Sequence, residues 1–332
     1  MTADLKFKRR KILYLPKKKR KPDFQYGNHL VRILREGIPT KHPHQKTGRR
    51  VLLTLPPLVY KLENGIPLIT DRFMPFSKTL SPISEMFAFV NGVRKGAEML
   101  ERGVKYWQTW VKREKTDIFG LEPDDMGDGS YGPGFNPKIY TWEDVPGHPD
   151  GGRYRVSIFR QFDHLIRQIK EMPYLSTHKV TSWLPQYCLQ HNALQRKVVV
   201  APCHGDIQVT ILGNKLSLTM TQRSGDYPVG VPADIFMYAA LTIGIGHVTG
   251  FEPYQLIIRV VDAHVYEDQI PEVEGMVWLD KQRHVRRIPK KFPTLNLTDE
   301  GKKIRDINDF RAEHFLLEDY EYHPARNIPV TE

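Results

Sequence analysis

A single thiol, Cys203, stands in Ala201-Pro202-Cys203-His204 at the end of the apolar run Val198–Val200. Only the thiolate of a cysteine is a nucleophile, so such a residue needs a cation or hydrogen-bond donors beside it. His204 and Arg223 could supply them. Arg223 lies in Gln222-Arg223-Ser224-Gly225-Asp226, where a guanidinium fork next to a hydroxyl is a clamp for an anion. Gly230-Val231-Pro232-Ala233-Asp234 then brings a carboxyl to the start of a long apolar run. Glu85 interrupts another apolar run, Ser81–Val90, where a carboxyl is costly unless it is paired or kept for proton transfer. His264-x-Tyr266 puts two polar side chains on one face of a strand end, a pattern that suits a sugar hydroxyl. Each feature has an ordinary counterpart. A lone cysteine after a strand is a small core residue, Arg223 makes a surface ion pair, Asp234 caps a helix, and His264 and Tyr266 are merely exposed. Cys188 has no such company and reads as structural. Neither Cys-x-x-Cys nor His-Glu-x-x-His occurs, and there is no glycine-rich phosphate loop, so no metal is expected.

The elements that must position these residues are legible in part. Tyr26–Glu36 has helical spacing, as does Val156–Met172; Ser81–Val90 reads as a largely buried helix and Met99–Val111 as an amphipathic stretch. Pro39–Arg50 reads as a polar loop, and Val51–Leu62 as β-prone. Ile207, Val209 and Ile211 alternate, as do Leu216, Leu218 and Met220, with Gly213-Asn214 between them; this predicts a hairpin. Val198–Val200 reads as a strand. Pro232 near a helix start and Gly250 after its end bracket a long apolar helix. Residues 255–262 form another strand. Residues 112–152 are rich in Gly, Pro and Asp and read as a long loop, usually functional or an insertion. With no internal repeat and no linker, the chain reads as α+β, with residues 1–25 as a basic N-terminal arm and 26–332 as one domain.

The composition is that of a globular protein, with 40% hydrophobic residues and a formal net charge of +11. Residues 1–25 hold ten basic residues against Asp4 and Asp23, a net of +8, which leaves +3 for the other 307. Such a tail suits a polyanion; it also reads as a solvated arm, and Pro16-Lys17-Lys18-Lys19-Arg20-Lys21 as a nuclear-localisation signal. Two cysteines make a disulfide framework improbable and fit a reducing compartment. With no eighteen-residue apolar run and no secretory h-region, a cytoplasmic protein is expected (a host's cytoplasm if it is viral).

Taken together, Ala201-Pro202-Cys203-His204, Gln222-Arg223-Ser224-x-Asp226, Gly230-x-Pro232-x-Asp234-Ile235 and Asp262-x-His264-x-Tyr266 resemble the thymidylate synthase family. Gly65–Thr70, Glu85…Gly92, Trp107-x-x-Trp110 and His323-Pro324…Pro329-Val330 fall in the same order. The resemblance runs from about Tyr26 to the C-terminus. It implies a single domain with a mixed β-sheet, flanking helices and one sheet face forming a homodimer interface. Cys203 would attack C6 of a pyrimidine nucleoside monophosphate, and C5 would take a one-carbon unit from 5,10-methylenetetrahydrofolate. Glu85, Tyr131 and His204 would run the proton and water network. Arg223, Ser224 and Lys46 would bind the phosphate, and His264 and Tyr266 the 3′-hydroxyl. Asp226, Trp107, Trp110 and Val330 would lie toward the folate, and the C-terminal tail would close over the site.

The departures decide the substrate. Where thymidylate synthases carry an asparagine that reads uracil, this chain has Asp234. Uracil offers a donor at N3 and an acceptor at O4; cytosine offers an acceptor at N3 and a donor at its 4-amino group. A carboxyl sharing a proton with N3 matches cytosine, as in (deoxy)cytidylate 5-hydroxymethyltransferases, which the chain resembles most in character. The first turn of a helix would favour the ionised form of Asp234, so the proton is expected to arrive with, or on, the base. The expected activity is hydroxymethylation of dCMP or CMP. The alternatives are cytidylate C5 methylation with folate hydride transfer, thymidylate synthesis from dUMP, and nucleic-acid binding by the basic arm on an inactive fold. Lys46 in Gln45-Lys46-Thr47-Gly48 replaces an arginine of the family and loses its bidentate fork. The family's cross-dimer arginine pair aligns with Ser176-Thr177, with His178 and Lys179 nearby. Ala233 replaces a bulky aromatic residue.

Overall fold

The computed structural model describes residues 12–41 and 47–330. Its main strands are β1 (Ile38–Lys41), β2 (Gly48–Leu52), β3 (Leu58–Lys61), β4 (Lys138–Asp144), β5 (Gly152–Ile158), β6 (Lys179–Thr181), β7 (Asp206–Leu212), β8 (Lys215–Asp226) and β9 (Glu252–Tyr266). The helices are α1 (Gln25–Glu36), α2 (Ser81–Val90), α3 (Gly96–Glu101), α4 (Arg113–Thr116), α5 (Tyr131–Phe135), α6 (Gln161–Glu171), α7 (Pro185–Cys188), α8 (Gly230–Thr249) and α9 (Ile270–Val277). The sheet runs β1-β2-β9-β8-β7-β6, with β3 also paired to β9. The β8–β9 pair is parallel and the other pairs are antiparallel, so the sheet is mixed and the fold is α+β.

The hairpin β7–β8 forms as its alternation predicts. Ile207, Val209 and Ile211 are buried, while Gln208, Thr210 and Leu212 face outward. Gly213 turns the chain with a φ of +61°, a conformation that glycine adopts without steric cost. From β8 the chain crosses to β9 through α8, which packs against both strands. α8 is long and apolar enough to cross a membrane, yet almost all of it is buried, as befits the central helix of a domain. Gly250, at φ +83°, ends it in the left-handed conformation typical of a helix stop.

Three expectations are corrected. Pro39–Arg50 is not simply a loop: β1 and β2 pair along it, because β2 can add to the free edge of β9. Val198–Val200 forms no strand. Val198 packs on Cys188 and Ala201, and Val199 donates its N–H to Met126 O, so side-chain burial rather than a ladder holds the segment. Val156–Met172 is not one helix. Val156 and Ile158 belong to β5, paired with Tyr140 and Lys138 of β4, and α6 begins only at Gln161. The long loop thus contains a β-hairpin, one face of which carries Tyr140, Trp142, Tyr154, Val156 and Ile158, all exposed.

Within the basic arm, residues 12–25 lie against the body. Ile12 is buried and Tyr14 donates to Leu295 O. Arg20 is 5% exposed and donates to Leu15 O, Phe292 O and Thr294 Oγ1. Its guanidinium therefore serves as a structural plug, while Lys18, Lys19 and Lys21 remain exposed.

Candidate active site at the ends of the parallel strands

In sheets with parallel strands, ligands bind outside the carboxyl ends of those strands. The predicted site residues gather at that end of this sheet's parallel pair. Ser224 stands opposite Asp262, and Asp226 opposite His264, at the last turns of β8 and β9. The chain leaving β8 re-enters the same place as the N-terminal end of α8, which delivers Asp234. Gly205, at φ +107°, and the loop before β7 bring Cys203 and His204 to the same end, and Arg223 N–H donates to Cys203 O. α2 and α5 add Glu85 and Tyr131 from the other side.

The inner end is closed. Asp234 accepts from Gln222 Nε2 at 2.8 Å and lies 3.4 Å from His204 Nε2. Burial, with the nearby Glu85 carboxyl adding to it, pushes Asp234 up to about 8. The sequence pointed to an ionised Asp234 in the first helical turn. The residue instead sits in the second turn of α8, inside the core, where desolvation outweighs the helix dipole. Glu85 is raised by burial to about 7, although Tyr106 donates to its Oε2 and Trp107 Nε1 donates to its Oε1 at 2.7 Å. Burial, then Arg223, lowers His204 to about 3, so its imidazole is neutral at physiological pH. His204 Nδ1 is 2.8 Å from the Tyr238 hydroxyl, and its ring stacks on Tyr131 at 4.4 Å. Gln222 Oε1 is buried without a partner among the described residues.

Cys203 is partly exposed at the mouth of this enclosure. Its N–H donates to the Tyr131 hydroxyl at 2.8 Å, and Arg223 Nη2 lies 3.5 Å from its sulfur. Burial pushes the thiol up and the guanidinium pulls it down; the net shift is upward, so the thiol is protonated before a ligand arrives. Arg223 also donates to Pro202 O and Ala201 O, each at 2.8 Å, and its guanidinium lies over the Trp183 ring. It therefore braces the cysteine loop as well as facing outward.

The outer end is held by an ion pair and a histidine. Arg49 Nη2 pairs with Asp262 at 3.1 Å, and His264 Nδ1 lies 2.9 Å from the same carboxyl. Burial acts upward on Asp262, but the hydrogen bond and charge of His264, with Arg49, hold it below the ordinary range. Tyr266 packs edge-on to the His264 ring. Asp226 accepts from Gln269 Nε2 at 3.0 Å, and the same amide donates to Pro329 O, so the C-terminal tail is tied to the site. Burial raises Asp226 to about 6 against that hydrogen bond.

Most of the predicted site residues meet here: His204, Glu85, Tyr131, Trp107 and Asp234 at the inner end, Cys203 and Arg223 at the mouth, and Ser224, Asp226, His264 and Tyr266 at the strand ends. Lys46 lies outside the described residues. Trp110 makes no contact with Glu85 like that of Trp107; it is half-buried, with Lys115 over its ring at 5.2 Å. Val330 is 71% exposed, next to the tethered Pro329. His178 is fully buried with its Nε2 3.0 Å from Pro173 O, and the exposed Lys179 pairs with Asp206. Sequence reasoning missed Tyr106, Arg49, Tyr238 and Gln269. Tyr238 follows Asp234 at the i,i+4 spacing of one helix face, a signal that was available. Arg49, Tyr106 and Gln269 left none, since their roles depend on contacts between elements distant in sequence. Among the described residues no group of His, Cys, Asp and Glu is arranged to hold a metal.

Comparison with known proteins bears on the same stretch of chain. A family model described as thymidylate synthase matches residues 24–332. The thymidylate synthase of equine herpesvirus 2 (strain 86/87) is 31% identical over 312 residues, covering 93% of this chain and 97% of that protein. That of Phytoplasma mali (strain AT) is 29% identical over 283 residues, covering 83% and 88%. The human thymidylate synthase is 28% identical over 303 residues, covering 91% and 88%.

Proposed function

The chain belongs to the thymidylate synthase family, one-carbon transferases that act on pyrimidine nucleoside monophosphates with 5,10-methylenetetrahydrofolate as co-substrate, and from that premise we propose that it is a (deoxy)cytidylate 5-hydroxymethyltransferase. One observation carries the reading: a neutral carboxyl, Asp234, buried where the base is to be read and held by Gln222. Given cytosine, that carboxyl donates its proton to N3 and accepts from the 4-amino group. Transfer of the proton onto N3 turns the contact into a charge-assisted pair and makes C6 more electrophilic. Uracil, already protonated at N3, gains only neutral hydrogen bonds from the same group.

In this reading Cys203 adds to C6, once ligand binding and Arg223 favour its thiolate. Glu85, with a pKa near the working pH, exchanges protons with the substrate and water; Tyr131 and neutral His204 complete that network. Arg223 and Ser224, with Lys46, take the phosphate. His264 and Tyr266, oriented by Asp262 and Arg49, take the 3′-hydroxyl. Asp226 and Trp107, with Trp110 and the tail at Val330, face the folate, and Gln269 is the tether that holds the tail down. The sheet face away from α8, with Thr210, Ser217, Thr219 and Thr221 outward, serves as the homodimer interface. The expected compartment is the cytoplasm.

The second reading is thymidylate synthesis from dUMP. The names of the relatives favour it, and a neutral Asp234 can also accept from N3–H and donate to O4. Mass spectrometry of the products, with dCMP, CMP and dUMP each offered beside methylenetetrahydrofolate, separates the readings. A 5-hydroxymethyl product from a cytidylate is expected; turnover of dUMP alone sinks the proposal.

A further inference from the structure

Tyr106 belongs to none of the motifs, yet its hydroxyl donates to Glu85 Oε2 while the indole of the adjacent Trp107 donates to Oε1. Both donors come from one 3-10 turn, Tyr106–Thr109. Together they fix the plane of the carboxyl and leave it only its remaining lone pairs for other work. The two neighbours differ in exposure. Trp107 is 5% exposed and seals one flank of Glu85, whereas Tyr106 is 45% exposed with its hydroxyl turned inward. The Tyr106 side is thus the less enclosed flank of Glu85.

We propose that Tyr106 is a positioning residue for the last step: through Glu85 it orients the water that adds to the one-carbon unit on C5, and so steers the outcome toward a hydroxymethyl rather than a methyl group. The inference rests on the hydroxymethyltransferase reading above. At that step Cys203 is bonded to C6 and C5 carries an exocyclic methylene. The water oxygen bonds to the methylene carbon, one O–H bond breaks, and its proton passes to the Glu85 carboxylate. The π pair moves onto C5, then forms C5=C6 as the C6–S bond breaks and Cys203 leaves as thiolate. Nothing is oxidised or reduced, and tetrahydrofolate leaves unoxidised. Hydride delivery from the folate to the same carbon would instead give a methyl group and dihydrofolate.

The test is Tyr106→Phe, assayed with dCMP and methylenetetrahydrofolate from pH 6 to 9, with products resolved by mass spectrometry. Losing a donor that favours the carboxylate moves Glu85 further up, so the acidic limb of the kcat profile shifts to higher pH. At pH 7 kcat falls about tenfold with KM for dCMP nearly unchanged, and the hydroxymethyl-to-methyl ratio drops. A merely structural role would lower kcat equally at every pH; an unmoved acidic limb with an unchanged product ratio overturns the proposal. Incorporation of 3-fluorotyrosine at 106 keeps the shape and strengthens the donor, and shifts the limb the opposite way; no shift there also overturns it. The two levels of inference fail separately. Wild-type enzyme that makes no hydroxymethyl nucleotide defeats the functional reading and this step with it, whereas an indifferent variant of an enzyme that does make it defeats only the role of Tyr106.

Discussion

Around Asp234 the site gathers ionisable side chains whose burial drives them toward their neutral forms: Asp234 rises to about 8, Glu85 to about 7, and His204 falls to about 3. Around Asp262, at the end of β9, a charge is kept and matched: the carboxylate pairs with Arg49 and is hydrogen-bonded to the His264 ring. The inner region is dry and holds protons; the outer one is half-wet and holds charge. A neutral carboxyl can distinguish hydrogen-bond patterns, because it has a donor and an acceptor at fixed places. A paired charge sets orientation and attraction but is indifferent to such patterns. Under the proposed function, discrimination of the base would belong to the inner region and affinity for the nucleotide to the outer one.

That division is open to attack, beginning with the largest effect. Replacing Cys203 by serine should lower turnover by on the order of 10⁴-fold or more, since a serine hydroxyl has no comparable access to its anion. Near-normal rates in a steady-state assay would end the covalent mechanism and with it the meaning assigned to both regions. Asp234→Asn should move the dCMP-to-dUMP ratio of kcat/KM by about 10²-fold toward dUMP, because the carboxamide suits uracil and carries no proton to give to N3. An unchanged ratio would place base reading elsewhere. Asp262→Ala, in contrast, should raise KM for the nucleotide about tenfold and leave base preference alone, with the loss shrinking at high salt. A shift in base preference in that variant would erase the contrast.

The smallest effect concerns stability. Asp234 and Glu85 hold their protons to higher pH when folded than their ordinary values of 3.8 and 4.5 allow. The folded state therefore binds more protons than the unfolded chain between those values and about 7 to 8, and stability falls as pH rises through that window. His204 and His29, lowered by burial to about 3 and about 4, act in the opposite sense, costing stability as pH falls below 6.5. Between pH 6.5 and 8 the two carboxyls dominate, so Tm should decline gently over that interval, and Asp234→Asn should flatten the decline. A slope unaffected by the substitution would mean that Asp234 is not the proton holder.

Much of this was legible in the chain. The β7–β8 alternation, the bracketing of α8 by Pro232 and Gly250, and the order of the motifs around Cys203, Arg223 and His264 are local signals, and local signals survive folding. The protonation of Asp234 was not legible: sequence position suggested the dipole of a helix end, and only the packing around α8 reveals the desolvation that overrides it. Trp107 and Trp110 looked alike in sequence, three residues apart, yet only Trp107 reaches Glu85. Val156 and Ile158 mimicked helical spacing because their strand partners, Tyr140 and Lys138, lie across a hairpin that no periodicity announces.

The buried guanidinium of Arg20 limits how the basic segment can be studied by truncation. A deletion through residue 25, the boundary suggested by charge, strips Ile12, Tyr14 and Arg20 from the body and leaves Phe292 O and Thr294 Oγ1 without their donor. In a shorter protein of that kind any loss of polyanion binding would come together with a loss of thermal tolerance, and the two could not be told apart. Removing only residues 1–11 takes away five basic residues and Asp4, half of the segment's net charge of +8, and spares the plug. Charge reversal at the exposed Lys18, Lys19 and Lys21 addresses the other half without disturbing it.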